Sequence, residues 1–308
     1  MAFIAALFVI SIYVLEVWSL LRWLINKLSK RPSIASTQDR LARISKYALH
    51  ILALAGIVCL LYGYFVEPYW IEIKTVEIKT PILQKAHLRL VQISDLHCDR
   101  KIRNETTLPG LVNSLQPDIV AFTGDTINTP EALPTFQQTM AAIRAPLGKF
   151  AVRGNWDDWY WSKLDLFTGT GFEVLDKGYK EITIGDEKIY LAGVSCNNAD
   201  FWRAAINKIP PETFCVFLYH YPDLIEDVAY SGIDLYLAGH THGGQVALPF
   251  YGALLTFSRF GKKYEAGHYS VGETILYVNR GIGMEGGNVP RIRFGARPEI
   301  TVFDIRPQ

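Results

Sequence analysis

The sequence predicts an α/β layered domain carried behind two membrane-spanning helices. Three observations make that prediction: two long apolar runs within the first 66 residues, short apolar strands alternating with helices after them, and polar side chains gathered at the strand ends. The composition agrees. Of 308 residues, 49% are hydrophobic and 20% charged, as a packed protein requires and a disordered one does not show. A mean hydropathy of +0.12 is high for a soluble enzyme and directs attention to a membrane.

The first run, Ala2 to Leu21, is apolar except for Glu16 near its end, and is long enough for a ~30 Å hydrocarbon core. The second, Tyr47 to Val66, has no charged residue and leads into Glu67-Pro68-Tyr69-Trp70, a stretch suited to an interface. Neither has the basic start and small-residue cleavage site of a signal peptide. Lys27, Lys30, Arg31, Arg40, Arg43 and Lys46 lie between the runs, against Asp39 alone. By the positive-inside rule this loop stays in the cytoplasm, which puts everything after Val66 on the far side, the periplasm of a Gram-negative cell. Lys74, Lys79 and Lys85 weigh against that orientation. The expected division is an anchor over residues 1–70 and a catalytic domain over 71–308.

From Ile71 onward, Leu88 to Ile93, Asp118 to Phe122, Phe150 to Val152, Ile189 to Val194, Phe214 to Tyr219 and Ile233 to Ala238 each read as a buried strand. Helices are expected over Thr107 to Leu115, Glu131 to Ile143 and Asp223 to Tyr230, which makes the domain α/β. Glu181 to Ile184, Thr274 to Asn279 and Glu299 to Ile305 read as strands paired without intervening helices. The four cysteines form no CxxC pair, so neither a structural zinc site nor a disulfide scaffold is expected. A formal net charge of +1 gives no reason to expect a nucleic-acid partner.

Five of the strands run into residues of metal-ligand type: Asp95 and His97, Asp125, Asn155, His220, then His240 and His242. Core packing does not explain Asp, Asn or His at the end of strand after strand, whereas ligands collect at such an edge. Carboxylate, amide oxygen and imidazole without thiolate suit Mn, Fe, Zn or Mg. Two such cations ~3.5–4 Å apart activate water and hold phosphoryl oxygens. His87 and His268 fall outside the pattern and are expected to be structural.

In order and spacing, Asp95-x-His97, Gly124-Asp125, Gly154-Asn155, His220 and Gly239-His240-x-His242 resemble the calcineurin-like metallophosphoesterase superfamily, and the closing stretch from Gly243 is similar to its membrane-anchored branch. The resemblance covers about residues 86 to 305. It implies a four-layer α/β/β/α sandwich with two divalent metal ions at one edge, manganese favoured. It also implies one metal on Asp95, His97, Asp125 and His242 and a second on Asp125, Asn155, His220 and His240. Asp125, Asn155, Asp157 and His240 are the expected catalytic set.

One position departs from the family. Where a His normally follows the Asn, this chain has Trp156, and an indole has no acid to give near neutral pH. General-acid help is worth ~10²–10⁴ in rate, so an enzyme without it favours a leaving group that departs unaided, such as the phosphate of a pyrophosphate. Trp156 can also offer a flat face to substrate, and Arg100, Arg153 and Arg280 are the candidate grips for its phosphate. The function expected is hydrolysis of a membrane lipid or lipid-linked phosphate, foremost a nucleotide–lipid pyrophosphate such as UDP-2,3-diacylglucosamine. A phosphomonoester or phosphodiester of the cell envelope is the alternative, and a membrane sensor or scaffold with a structural metal site the rival of another class.

Overall fold

A computed structural model of the chain describes residues 2–28, 37–285 and 291–308, with the backbone alone at 2–10, 23, 26, 27 and 37–43. The chain divides into two units, 1–65 and 66–308.

The first unit is a helical pair, α1 (Ala2–Leu28) and α2 (Thr37–Phe65). The Tyr13 hydroxyl donates to the Ala53 carbonyl at 3.3 Å. A Cβ at Gly56 would come within 2.4 Å of that hydroxyl, so the close approach depends on glycine. Glu16, the acid of the first apolar run, meets the His50 ring. Both helices are longer than the apolar runs. In particular α2 starts ten residues before Tyr47, so Arg40, Arg43 and Lys46 stand on a helix rather than in a loop. Lys30 and Arg31 lie outside the described residues. Among the described residues one segment, Ile44–Tyr69, is long and apolar enough to cross a membrane, with a mean hydropathy of 2.1.

The second unit is built on two six-stranded sheets. The first sheet takes β1 (Glu72–Thr80), β2 (Leu88–Ile93), β3 (Ile119–Phe122), β4 (Gly148–Ala151) and β5 (Glu173–Val174). The second takes β6 (Lys177–Ile184), β7 (Glu187–Val194), β8 (Phe214–Leu218) and β9 (Leu235–Ala238). After a short hairpin of β10 (Ala247–Leu248) and β11 (Gly252–Ala253), β12 (Gly267–Val271) and β13 (Thr274–Val278) complete the second sheet. The last strand, β14 (Glu299–Pro307), returns to the first. The orders are β1-β14-β2-β3-β4-β5 and β12-β13-β9-β8-β7-β6. β2 to β5 are parallel, as are β7, β8, β9 and β13, so within each sheet the chain leaves these strands at one common edge.

Side-chain alternation along the strands sorts the interior into three cores. Leu90, Ile119, Ala121 and Phe150 of the first sheet meet Leu191, Val216, Leu218 and Leu235 of the second. On the outer face of the first sheet, Val91, Val120 and Phe122 pack against α3 (Leu108–Ser114) and α4 (Leu133–Ala141) through Leu108, Val112, Phe136 and Met140. On the outer face of the second, Cys215, Phe217 and Tyr236 pack against α6 (Trp202–Ile206) and α7 (Ile225–Val228) through Trp202, Ala205, Ile225 and Val228. Helix, sheet, sheet and helix therefore lie in four layers. The central strands β2, β3, β8 and β9 bury both faces as parallel strands do, whereas β1, β6 and β12 leave residues exposed. A fifth short helix of this unit, α5 (Asn155–Trp159), belongs to the candidate site.

Glu67 and Pro68, read as part of an interfacial stretch, are buried instead. The Glu67 carboxylate accepts from the backbone N–H groups of Gly295 and Ala296 at 3.0 and 2.7 Å, fixing the chain just ahead of β14. Tyr69 and Trp70 are exposed, and the Arg297 guanidinium lies 4.0 Å from the Trp70 ring centre.

Candidate metal centre

The loops that follow β2 and β3 are laced together. Asp95, His97 and Cys98 donate their backbone N–H groups to the carbonyls of Gly124, Asp125 and Thr126 at 2.9, 3.2 and 2.9 Å. The turns are sharp: Asp95, His97, Asp125, His240 and His242 all have φ between +40° and +69°. Five non-glycine residues in this costly region within one site is the pattern of strain held by function. Glycine is obligatory beside them at two points of close approach. A Cβ on Gly154 would lie 2.1 Å from Asp125 Oδ1, and one on Gly239 would lie 2.2 Å from Asp95 Oδ2.

These turns bring together the side chains singled out in the sequence. Asp95, His97 and His242 form one group of donors, and Asp95, Asp125 and His220 a second, with the atoms of each group within 4.8 Å of one another. Asp125 Oδ2 lies 3.4 Å from His97 Nε2 and 3.2 Å from His220 Nε2, so it too reaches one imidazole of each group. Each ring is set by its far nitrogen. His97 Nδ1 lies 3.0 Å from Asn128 Oδ1, and His220 Nδ1 lies 2.6 Å from the Thr123 carbonyl. Donation to these oxygens leaves a lone pair on each Nε2 pointing inward. His97 Nε2, His220 Nε2, His242 Nε2 and Asn155 Oδ1 are all buried without a hydrogen-bond partner. Converging donors in that state are what cations would satisfy, and the two donor groups fit a two-metal centre.

His240 stands slightly apart. Its backbone N–H faces both Asp95 oxygens at 3.2 Å, its ring meets Tyr221 edge-on at 4.2 Å between centroids, and Nε2 lies 3.3 Å from the Phe257 carbonyl. Among the described residues it belongs to neither group of donors.

The protonation of the site follows from its charges. Burial raises Asp95 to about 6, with the Asp125 charge adding to the effect. Burial acts the same way on Asp125, but the charge of His220 and the hydrogen bonds of His220 and His97 prevail and hold it well below the usual range. Burial opposes a proton on His220, yet Asp125 outweighs it and lifts the ring to about 10; His97 is raised for the same reason. Burial and the neighbouring imidazoles depress His240 to about 3, and burial with His97 and Arg293 depresses His242 well below its normal value. His220 therefore holds a proton at neutral pH that a cation must displace, and His97 holds its own more firmly than a free imidazole, while the other two are ready. Apparent Mn²⁺ affinity should rise at least about tenfold per pH unit from roughly pH 6 to 9, with proton release on binding. Calorimetry in buffers of different ionisation enthalpy measures both, and pH-independent binding would contradict the arrangement.

Asp157, expected among the catalytic residues, does another job. One oxygen accepts from the N–H groups of Asp125 and Gly154, both at 2.9 Å. The other accepts from Thr126 N at 2.9 Å and Thr126 Oγ1 at 2.6 Å. With its acceptor sites filled, this carboxylate has nothing left for substrate. It pins the Asp125 loop to the start of α5.

Trp156 is beside the centre, its ring 5.3 Å from that of His97 and its Nε1 donating to Glu285 Oε1 at 3.1 Å. The candidate arginines are engaged elsewhere. Arg100 pairs with Glu131 on the surface at 2.8 Å. Arg153 donates to the Leu164 carbonyl at 3.0 Å. Arg280 is held by Glu299 at 2.6 Å and by Glu72. The arginine that does reach the centre is Arg293, which carries no sequence signal. Fully buried, it donates to the carbonyls of Gly283, Arg280 and Ala296, and its Nη2 lies 3.3 Å from His242 Nδ1. An open cleft of about 500 Å³ at the opposite end of β2 has its charges already paired, Arg89 with Asp304 and Arg306 with Glu77. The chemistry belongs with the buried donors.

A sequence model of calcineurin-like phosphoesterases matches residues 88–244, which include every donor named above. The chain is 35% identical over 261 residues to the uncharacterized metallophosphoesterase YkuE of Bacillus subtilis, spanning 80% of this chain and 90% of that protein. It is 26% identical to the phosphodiesterase YaeI of Escherichia coli, over 79% of this chain and 92% of the relative. To the UDP-2,3-diacylglucosamine pyrophosphatase LpxG of Chlamydia trachomatis it is 28% identical, over 70% and 83%. The match of family, spacing and converging donors leads to one assignment: the chain belongs to the calcineurin-like phosphoesterase family and is a metal-dependent phosphohydrolase.

Proposed function

We propose that this phosphohydrolase is anchored by both N-terminal helices and cleaves a lipid-linked phosphate at the membrane, with a nucleotide–lipid pyrophosphate as its preferred bond. The observation that carries the choice is the state of Trp156. It occupies the place of the family's proton donor, lies against His97, and has already committed its N–H to Glu285. The leaving group must then depart without an acid from that position, which favours a phosphoanhydride over an alkyl ester. The printed name of the LpxG relative supports the same bond.

In this reading Asp95, His97, Asp125 and His242 hold one divalent ion and Asp125, Asn155, His220 and His240 the other. Manganese is favoured because the donors are oxygen and imidazole without thiolate. When bound, the ions polarise the phosphoryl oxygens and supply activated water. The protein's own share is to hold the two carboxylates and the imidazoles in register, through Asn128, Thr123 and Asp157, and to keep the Trp156 face beside the substrate.

A second reading, a phosphodiesterase of the cell envelope, is supported by the basic residues between the apolar runs, which favour a catalytic unit outside the cytoplasm, and by the name of the YaeI relative. The purified full chain with Mn²⁺ should release UMP from UDP-2,3-diacylglucosamine faster than it cleaves an aryl phosphodiester. Absence of UMP would remove the first reading, and a dominant diesterase rate would establish the second. Trp156→His should raise turnover of an alkyl phosphomonoester by ~10–10² and leave UMP release within a few-fold. Equal changes on both substrates would contradict the leaving-group argument.

A further inference from the structure

On either side of the donor cluster the surface carries large apolar side chains that the described residues of the catalytic unit leave exposed. On one side Trp159 and Tyr160, 62% and 59% exposed, continue from Trp156 through ring contacts of 5.0 and 6.5 Å. On the other, Phe250, Leu255 and Phe257 project from the segment after the last histidine pair, with Phe250 fully exposed and Phe257 74% exposed. Both patches are joined to the cluster, Trp156 through the ring of His97 and Phe257 through its carbonyl beside His240. The second patch also carries the basic residues Arg259, Lys262 and Lys263, of which Lys262 pairs with Glu265 at 2.9 Å and Lys263 with Glu226. All three basic side chains are exposed.

We propose that this apolar and basic rim seats on the surface of an anionic lipid bilayer, so that the phosphate reaches the metal centre with its lipid chain still among the rim aromatics. Aromatic side chains interleaved with Arg and Lys suit the boundary between headgroups and acyl chains, where each meets both its apolar and its polar requirement. Continuity of the chain supplies the occupant. The segment Ile44–Tyr69 has the length and composition of a membrane span, and the catalytic unit starts at Val66, six residues before β1. Six residues reach at most about 20 Å, so a bilayer holding that segment keeps the catalytic unit tethered within reach of an apolar surface. The inference rests on the reading of that segment as a span and of the substrate as lipid-linked.

The test uses the full chain reconstituted into phosphatidylcholine vesicles with and without phosphatidylglycerol. In a Cys59→Ser background, Phe250→Cys and, as a control, Asp186→Cys in the exposed turn between β6 and β7 are labelled with an environment-sensitive fluorophore. The label at 250 should shift to the blue and be quenched at least about threefold more by lipids brominated on their acyl chains than the label at 186, more strongly with phosphatidylglycerol. Equal quenching at both positions would overturn the proposal, as tethering alone would produce it. A blue shift without lipid quenching that grows with protein concentration would overturn it in favour of a second copy. These readouts need no turnover, so they stand even if no phosphate is cleaved. The pair Phe250→Ser and Leu255→Ser should raise KM for vesicle-borne UDP-diacylglucosamine about tenfold or more while hydrolysis of a water-soluble aryl phosphate with Mn²⁺ stays within about twofold. A parallel loss on both substrates, or no change on either, would refute the rim's role.

Discussion

Asp125→Asn should lower turnover of every phosphate the enzyme accepts by about three orders of magnitude or more, without unfolding it. Asp125 Oδ2 reaches His97 and His220 at once, so the substitution removes a charge that faces one imidazole of each donor group. Its other oxygen accepts from the backbone N–H of Trp156 at 2.9 Å, which an asparagine oxygen can still do. Removing this carboxylate relieves its repulsion of Asp95 but also takes away the partner of His97 and His220, whose protons it holds. The melting temperature of the metal-free protein at neutral pH should therefore fall, short of unfolding, while metal content falls below two ions per chain. Elemental analysis and an aryl phosphate assay read the two halves, and a variant with both ions and full activity would end the two-metal account.

Asp157→Ala should be the most damaging substitution for stability at the site, although the side chain touches no phosphate in this account. It strands three backbone N–H groups and the Thr126 hydroxyl in a buried place. An unsatisfied buried donor costs about 1–3 kcal/mol, so the total approaches the ~5–15 kcal/mol by which a domain is stable. The variant should melt at least about 10 °C lower, or fail to accumulate, and its metal affinity should fall because the Asp125 loop is no longer tied to α5. Asp157→Asn should fall between, since one acceptor oxygen remains. A soluble Asp157→Ala protein with native melting and a selective loss of kcat would restore the catalytic role that the geometry takes away.

How much of this could be read from residues alone varies by element. β2 matches its expected span from Leu88 to Ile93, because Leu88, Leu90, Val91 and Ile93 mark a buried strand even with Arg89 and Gln92 among them, and Ser-Asp closes it. β1 escapes because Glu, Lys and Thr alternate with Ile and Val along it, as in an edge strand with one face outward, while the expectation was built on continuous apolar runs. The insertion of β14 between β1 and β2 is a pairing across more than 200 residues, which no local pattern records. At the site, Asp95, His97, Asp125, His220 and His242 were legible because strand ends concentrate them in order; His240, read the same way, stands outside both groups of donors, and Asn155 offers a buried oxygen without a partner. Arg293, Asn128 and Glu285 were not legible, because their importance lies in a tertiary neighbour: the far nitrogen of a ring, or an indole N–H. Asp157 was visible but misread, since a carboxylate in a ligand block looks the same in sequence whether it faces a phosphate or four donors.

The position of β14 also bears on when the enzyme can exist. Its strand fills the slot between the first strand of the catalytic unit and the strand that carries Asp95 and His97. During synthesis, the first sheet stays split until residue 307 has left the ribosome, and contacts that distant in sequence form slowly. An incomplete chain, with α2 already made, would thus display an open sheet edge rather than a working centre, and hydrolysis is withheld until β14 has been made.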